Sequence, residues 1–257
     1  MKHNLKLSFY GIIVVLIVLF SYDLDVNLFD LFNGFSNLIK LGTYTFPPDW
    51  SLFTVGFVAI VETLKIAFLG TVFGMILSLP FGLLGSRNLF SQKTTVVVRV
   101  FLAAVRVLPS LLWAVVFVIM VGPGPFAGVL AMTLYTMGYL AKLQYESIEG
   151  ISPEPLEAVF SMGASRFQVI RFVVLPEAAN NLISQLLFMF EYNVRASSIL
   201  GFVGAGGVGF YIMNYLKVLM YDKVAVLLLV VLITILIMDY VSVKIRDRYL
   251  VESRVCE

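Results

Sequence analysis

The sequence has 257 residues, of which 60% are hydrophobic and only 13% are charged, and its formal net charge at pH 7 is +2. Because soluble domains carry roughly 25% charged residues, this composition excludes an ordinary soluble domain and predicts an all-α polytopic membrane protein. The small net charge gives no indication of a nucleic-acid partner. The single cysteine and single histidine, Cys256 and His3, exclude a disulfide framework and leave no credible metal site.

The N-terminal part predicts one membrane span followed by a polar connection. Lys2 and Lys6 precede the apolar run Leu7–Phe20, as they would in a signal peptide. Residues 22–26 contain no small-x-small cleavage site, so we expect a retained first helix. Several aspartates follow before position 50, which makes residues 1–50 a span and its external, acidic connection.

The middle of the chain predicts three further spans. The apolar run Leu52–Leu84 is too long for one straight span of about 20 residues, so we expect a lead-in helix at the membrane surface and a span over roughly residues 62–84. Thr94–Val121 predicts the next span, which ends at the strong turn signal Gly122-Pro-Gly-Pro125. Phe126–Leu143 predicts the one after it.

Charge breaks the apolar pattern at residues 144–177, and two more spans, Asn181–Leu200 and Val224–Tyr240, complete a set of about six. Six spans place both termini on one side of the membrane. Cytoplasmic segments of membrane proteins carry an excess of Lys and Arg. Of the basic residues in the connecting segments, only Lys40, Lys217 and Lys223 lie in the segments assigned to the external side. The bias predicts cytoplasmic termini and a cytoplasmic 144–177 loop.

A glycine run, Gly201 to Gly209, matches the dinucleotide-binding pattern G-x-G-x-x-G through Gly204, Gly206 and Gly209. That pattern has meaning only between a strand and a helix, with an acidic residue about 20 residues later. Here a membrane span precedes the run, and Asp222 is too close for the ribose role. We therefore expect the run, including Gly207, to allow close helix packing. The remaining alternative is that its exposed amides meet an anion in transit.

The loop predicts two short helices joined by a turn. Ser152-Pro-Glu-Pro155 is typical of a helix start, and Gly163 permits a sharp turn before a second helix capped by Ser165. We expect Pro176 to stop or bend this second helix before the next span. The predicted apolar faces are formed by Leu156, Val159 and Phe160 in the first helix and by Phe167, Ile170 and Val174 in the second.

The spacing within this loop resembles the EAA signature of ABC importer permeases, EAA-x3-G-x9-I-x-LP. It departs only at Val159, where Ala is usual, and at Val173, where Ile is usual. The resemblance implies a type I importer permease fold in which the loop is a coupling helix that docks on a separate ATPase subunit. The implied coupling residues are Glu157, Ala158, Gly163, Ala164, Leu175 and Pro176.

The sequence contains no G-x-x-x-x-G-K-[ST], so we expect ATP and Mg²⁺ to bind to the partner ATPase and no cofactor to bind to this chain. The implied partners are a dimer of ATPase subunits, an external substrate-binding protein, a second permease copy, most simply an identical one, and membrane lipid. The implied location is the bacterial cytoplasmic membrane. Residues 51–250 form the expected permease core, with the EAA loop at 154–177, within a single transmembrane domain spanning 1–257.

Roughly residues 47–250 resemble the permease subunits of phosphonate ABC importers, including relatives that handle phosphite. The segments that carry the resemblance are "PPDW", "ETLKIAFLGT", "LPFGLLGSRN", "RVLPSLLWA" and "FEYNVRASSILGFVGAGGVG". The alternatives are a permease for methionine or another amino acid, which would share the EAA loop, and a secondary transporter, which often shows inverted repeats. A membrane enzyme is the weakest alternative, because no nucleophile–base set or pair of catalytic carboxylates is evident.

Ionisable residues within the spans are candidates for the transport pathway, since they are costly in lipid. Two pairs have helical spacing, Glu62 with Lys65 and Glu191 with Arg195, so each pair either neutralises itself or serves transport. Arg106 either extends to the inner interface or faces the pathway. Arg195 is the preferred oxyanion-sensing residue because its guanidinium can donate two parallel hydrogen bonds. Asn193 lies between Glu191 and Arg195 and belongs to the same candidate set.

Overall fold

A computed structural model describes residues 2–26 and 28–250, and this part of the chain contains helices and no strand. The chain divides into two compact units, Met1–Pro47 and Pro48–Glu257. The first unit contains α1 (Lys2–Asp23) and α2 (Leu28–Thr45). The expectation of a purely polar connection after the first helix is wrong, because α2 carries apolar side chains at helical spacing, among them Phe32, Phe35, Leu38 and Ile39.

The second unit begins with one continuous helix, α3 (Phe53–Leu84), of 32 residues. The predicted division into a surface helix and a separate span is therefore wrong. Only a short 3₁₀ turn, Trp50–Leu52, precedes α3, and Asp49 caps that turn by accepting a hydrogen bond from the Ser51 amide. At about 1.5 Å per residue α3 is about 48 Å long. It is therefore longer than the hydrocarbon core of a bilayer, which is about 30 Å thick, and it remains one unbroken helix.

A ridge of small residues packs α3 against α6 (Pro125–Glu149). A Cβ atom added to Gly74 would lie 2.5 Å from Thr136 Cβ, and one added to Gly82 would lie 2.6 Å from Gln144 Oε1. Glycines four and eight residues apart allow two membrane helices to approach closely. This ridge, which also includes Gly70, holds the two longest buried faces of the core together.

The predicted span Thr94–Val121 is not a single helix. It consists of α4 (Gln92–Val107) and α5 (Ser110–Val121), which meet at an angle of 83°. The break follows from Pro109, because a proline disfavours helical geometry in the residue before it, and Leu108 is extended with φ −89° and ψ 125°. The Trp113 indole donates a hydrogen bond of 3.0 Å to the Val105 carbonyl and braces the bend.

The remaining elements are α7 (Pro153–Ser161), α8 (Arg166–Val169), a π-helical turn (Ile170–Val174), α9 (Leu175–Leu200), α10 (Val208–Lys217) and α11 (Tyr221–Leu250). Pro176 does not stop a helix: it occupies the first turn of α9, which follows the π-helical turn without a break in the helical backbone. The described part has four helices long and apolar enough to span a membrane, or five if α4 and α5 count as one broken span. The described apolar part of the first predicted span, Phe9–Asp23, is shorter than these.

Candidate functional site

The loop at residues 144–177 folds as the two predicted helices joined at a glycine. Helix α7 begins with Pro153, directly after Ser152, although the Ser152 side chain makes no capping bond. Gly163 has φ +83°, a backbone conformation that residues other than Gly and Asn rarely adopt. Apart from its two chain neighbours, no residue has an atom within 4 Å of the position that a Cβ would take. Ser165 and Gln168 form a complete capping box at the start of α8. The cap prediction for Ser165 is confirmed.

The inner face of the loop packs on the ends of the membrane helices. Leu156, Val169 and Val174 are buried in one cluster with Leu89 and Ile148. Val159 and Ile170 pack against the same cluster, as predicted. The expectations for Phe160 and Phe167 are wrong: Phe160 is 37% exposed and Phe167 is 70% exposed, and Val169 takes the inner position of the second helix instead. The loop is therefore fixed to the core on one side only.

The opposite face of the loop is free of intramolecular packing. Glu157, Ala158, Gly163, Leu175 and Pro176 are exposed, and Ala164 is partly buried. Two large apolar side chains, Met162 and Phe167, stand beside them with 77% and 70% of their surface exposed. Exposed apolar side chains ringed by polar ones are typical of a protein contact surface.

An ion pair that the sequence did not predict anchors the root of this loop. Arg99 of α4 donates to Glu149, the last residue of α6, at 2.5 Å, and also to the Gly85 carbonyl at 2.9 Å. The guanidinium lies 4.1 Å from the centre of the Tyr145 ring. Glu149 also accepts the backbone N–H of Arg87 at 2.7 Å. These contacts join α4, the α3–α4 connection and the beginning of the loop.

Three charged side chains meet where α9 passes α11. The Arg195 guanidinium donates to Glu191 at 2.7 Å and to Asp239 at 3.1 Å. The side chains of Arg195 and Asp239 are each 40% exposed, and that of Glu191 is 18% exposed. The sequence analysis missed Asp239, although an aspartate inside the last apolar run was the available signal. We call Glu191, Arg195 and Asp239 the charged cluster.

A cavity of about 300 Å³ opens beside the charged cluster. Arg195 and Tyr192 line it from α9, and Pro109, Ser110 and Leu111 line it from the break between α4 and α5. The first turn of α5 therefore forms part of the cavity wall. The amides in the first turn of a helix have no intrahelical acceptor and carry the positive end of the helix dipole. A guanidinium and a positive helix end thus share one concave surface.

Asn193 is separated from this cavity, because its side chain is fully buried between three helices. It donates hydrogen bonds to Thr71 Oγ1 at 2.8 Å and to Thr136 Oγ1 at 2.7 Å. Nearby, the Tyr135 hydroxyl donates to the Tyr192 hydroxyl at 3.0 Å. This arrangement ties α3, α6 and α9 together and favours a structural part for Asn193, which the sequence grouped with the pathway candidates.

The other candidate charges do not join the cluster. Glu62 accepts a hydrogen bond from the Gly207 amide at 2.9 Å, and no ion pair joins it to Lys65 within the described residues, so of the two alternatives for this pair the mutual neutralisation is wrong. Lys65 is exposed. Arg106 is partly buried, and its Nε donates to the carbonyl of Leu102 in its own helix at 3.3 Å.

The glycine run forms the junction between α9 and α10. Gly204, Gly206 and Gly207 have φ between +75° and +86°. A Cβ atom on Gly201 would lie 2.6 Å from the Gly209 carbonyl carbon. Thr63 accepts the Val208 amide at 2.9 Å, so Glu62 and Thr63 of α3 cap α10 together. These contacts favour the packing role, and two of the amides that an anion could meet already have acceptors.

Comparison with known proteins agrees with this architecture. Residues 70–250 match the family model described as "Binding-protein-dependent transport system inner membrane component". The chain is 34% identical to the phosphite transport system permease protein PtxC of Stutzerimonas stutzeri over 220 residues, which are 85% of this chain and 80% of that protein. It is also 34% identical to the phosphate-import permease protein PhnE of Mycolicibacterium smegmatis over 88% of this chain, which corresponds to 43% of that longer protein.

The fold is shared with solved ABC importers. The permease of the MetNI methionine ABC transporter in an inward-facing conformation aligns with a TM-score of 0.68 at 23% identity, over 78% of this chain and 98% of that one. A transporter for the acidic polysaccharide alginate aligns with a TM-score of 0.60 at 18% identity, over 89% and 96%. The chain belongs to the family of binding-protein-dependent transport system inner membrane components, and it is the permease subunit of an ABC importer and not an enzyme.

Proposed function

We propose that this permease conducts a small phosphorus oxyanion, phosphonate or phosphite, across the bacterial cytoplasmic membrane. The observation that carries the proposal is the Arg195 guanidinium, which is 40% exposed within a membrane-spanning helix and lines a cavity. Ionised groups are costly in lipid and usually face a polar route or a protein partner. Among charged side chains, a guanidinium is the best match for an oxyanion because its N–H groups donate in parallel.

The broken span supports the same substrate class. Helix α5 begins at Ser110, on the wall of the cavity opposite Arg195. In transporters with discontinuous helices, the positive ends of the half-helices point toward anionic parts of the substrate. An oxyanion in this cavity would meet positive potential from two independent elements. The relatives named for phosphite and phosphate transport agree with this class.

The assembly follows from two surfaces that the single chain leaves uncovered. The exposed face of the coupling loop, with Met162 and Phe167, suits a groove on a separate ATPase subunit that binds ATP and Mg²⁺. The charged cluster and its cavity are open on one side, and a second permease copy would close a pathway there. An external binding protein would deliver the substrate, and the chain termini and the loop would face the cytoplasm. Membrane lipid covers the apolar outer faces, and no nucleic acid takes part.

Neutral variants of the charged cluster test the role of Arg195. Changing Arg195 to Gln alone leaves two carboxylates without their cation. Loss of one partner of a buried ion pair destabilises a protein by about 3–5 kcal/mol, and the cost is smaller here because these side chains are partly exposed to solvent. Low abundance of this variant would therefore say nothing about transport. The triple variant Glu191→Gln, Arg195→Gln, Asp239→Asn removes all three charges and approximately keeps the volume.

The proposal predicts that the triple variant accumulates normally, yet takes up phosphite and methylphosphonate at less than a tenth of the wild-type rate. Normal uptake of these oxyanions by the triple variant would refute the role of Arg195. The substrate itself is tested in the reconstituted complex, by stimulation of ATPase activity with binding proteins loaded with phosphite, methylphosphonate, phosphate or methionine. Stimulation by methionine alone would favour the amino-acid alternative, and uptake without any ATPase subunit would favour a secondary transporter.

A further inference from the structure

We propose that Asp239 competes with the transported oxyanion for Arg195, so that arrival of the substrate releases α11 from α9. This inference rests on the proposed oxyanion function. It starts from the charges of the cluster: two carboxylates surround one guanidinium, which gives a net charge of −1 when all three are ionised. A dianionic substrate would be repelled by such a cluster, because like charges a few ångströms apart repel each other more strongly away from bulk water than in it. One carboxylate must therefore move before Arg195 can bind the substrate.

The geometry indicates which carboxylate moves. Glu191 lies on the same helix as Arg195, one turn away, with a 2.7 Å contact and only 18% exposure. Asp239 lies on α11, at 3.1 Å, with 40% exposure. A change in the distance between α9 and α11 separates Arg195 from Asp239 but leaves the contact with Glu191 unchanged. Asp239 is therefore the exchangeable partner and Glu191 the fixed one.

The donor pattern allows the exchange without loss of the fixed contact. Nη2 of Arg195 donates to Glu191 and Nη1 donates to Asp239. Guanidinium has five N–H groups in a planar fork, so departure of Asp239 frees the Nη1 side for a substrate oxygen. The side chain remains held in place through Nη2. In the absence of substrate, the Asp239 contact closes α11 onto α9.

The variant Asp239→Asn in the complete importer tests this latch. It removes the competing charge and leaves Arg195 with Glu191. We expect the ATPase rate without substrate to rise at least fivefold over wild type, because the latch is already open. We also expect that, without the binding protein, millimolar free phosphite stimulates this variant and leaves the wild type unstimulated. Asp247→Asn is the matched control, since Asp247 is exposed on the same helix about two turns further on.

Two outcomes would overturn the latch. In the first, the Asp239→Asn complex accumulates normally and, without substrate, hydrolyses ATP at the wild-type rate. This outcome counts only if the loaded binding protein still stimulates the wild type. Another is failure of both Asp239→Asn and the smaller Asp239→Ser to accumulate where Asp247→Asn does, because Asp239 would then be needed for folding. Failure of the proposed function looks different: no oxyanion-loaded binding protein would stimulate even the wild type.

Discussion

Replacement of Gly201 by alanine tests whether the glycine run serves close packing. Gly201 has helical backbone angles, φ −59° and ψ −24°, which alanine adopts without strain. The added Cβ would lie 2.6 Å from the Gly209 carbonyl carbon and 2.7 Å from the Gly206 carbonyl oxygen, and it would also meet the Phe210 amide. All three are backbone atoms. Relief therefore requires that the start of α10 move away from the end of α9.

The size of this movement sets the free-energy cost. Restoring ordinary contact with the Gly209 carbonyl carbon, from 2.6 Å, needs about 0.9 Å, because apolar atoms settle about 3.5 Å apart. The hydrogen bonds from Gly207 to Glu62 and from Val208 to Thr63 are both 2.9 Å long, and a further displacement of about 0.9 Å takes each to about 3.8 Å, where the bond is lost. The charged bond contributes about 1.5–3 kcal/mol and the neutral one about 0.5–1.5 kcal/mol. Overpacking adds about 1–3 kcal/mol to the destabilisation. Alanine also lowers the conformational entropy of the unfolded chain, which offsets up to about 1 kcal/mol of it. The net destabilisation is about 2–7 kcal/mol.

Thermal unfolding of the purified permease measures this cost. For chains of this size each kcal/mol lowers Tm by about 2–4 °C, so Gly201→Ala should lower Tm by at least about 4 °C and reduce the amount of assembled complex. Gly204→Asn is the matched control in the same run. Gly204 has φ +86° and only the Pro123 side chain at 3.5 Å from a Cβ, and Asn tolerates this left-handed conformation. Equal Tm values for the two variants would refute the packing account.

Two further predictions concern the loop and the topology. Gly163→Val should uncouple ATP hydrolysis from transport, while Gly163→Asn should keep most of the coupling. The reason is that Gly163 has φ +83° and open space around it, so the backbone conformation is the only constraint on a side chain there. Similar transport-to-hydrolysis ratios in the two variants would contradict this. In a background without Cys256, a cysteine at Asp25 should react with an impermeant thiol reagent added outside intact cells and a cysteine at Ser161 should not, and labelling at position 161 would place the loop on the wrong side for an ATPase.

The local features of the loop could be predicted from the sequence, because each depends on a few neighbouring residues. The Ser165 cap needs only Gln168 three positions later, and the turn at Gly163 needs only a residue that accepts positive φ. The break in α4–α5 was also signalled, by Pro109, but the apolar residues on both sides of it led to the prediction of one span over Thr94–Val121. Hydropathy reports the environment of a segment and not its continuity.

The long-range contacts could not be predicted in the same way. Glu62 was expected to pair with Lys65, its neighbour on the helix surface, but it caps α10 across 145 positions of sequence. Arg195 was assigned Glu191 alone, and its second partner lies 44 positions away. A charge in a low-dielectric setting takes whichever partners the helix packing brings close. Sequence spacing identifies the candidates within one helix, and the fold decides among all of them.

The continuity of the chain between the loop and the charged cluster links the two proposals. From Arg166 through the π-helical turn to Leu200 the backbone remains helical, so Arg195 lies about 44 Å from Arg166 along one rod, at about 1.5 Å per residue over 29 residues. Glu191 lies on that rod, whereas Asp239 lies on α11. A displacement of the loop by an ATPase would therefore carry Glu191 and Arg195 together, and within the charged cluster it would change the 3.1 Å contact with Asp239 alone. The same contact that an oxyanion would open from the cavity is thus the one that motion of the coupling loop would open from the opposite end of α9.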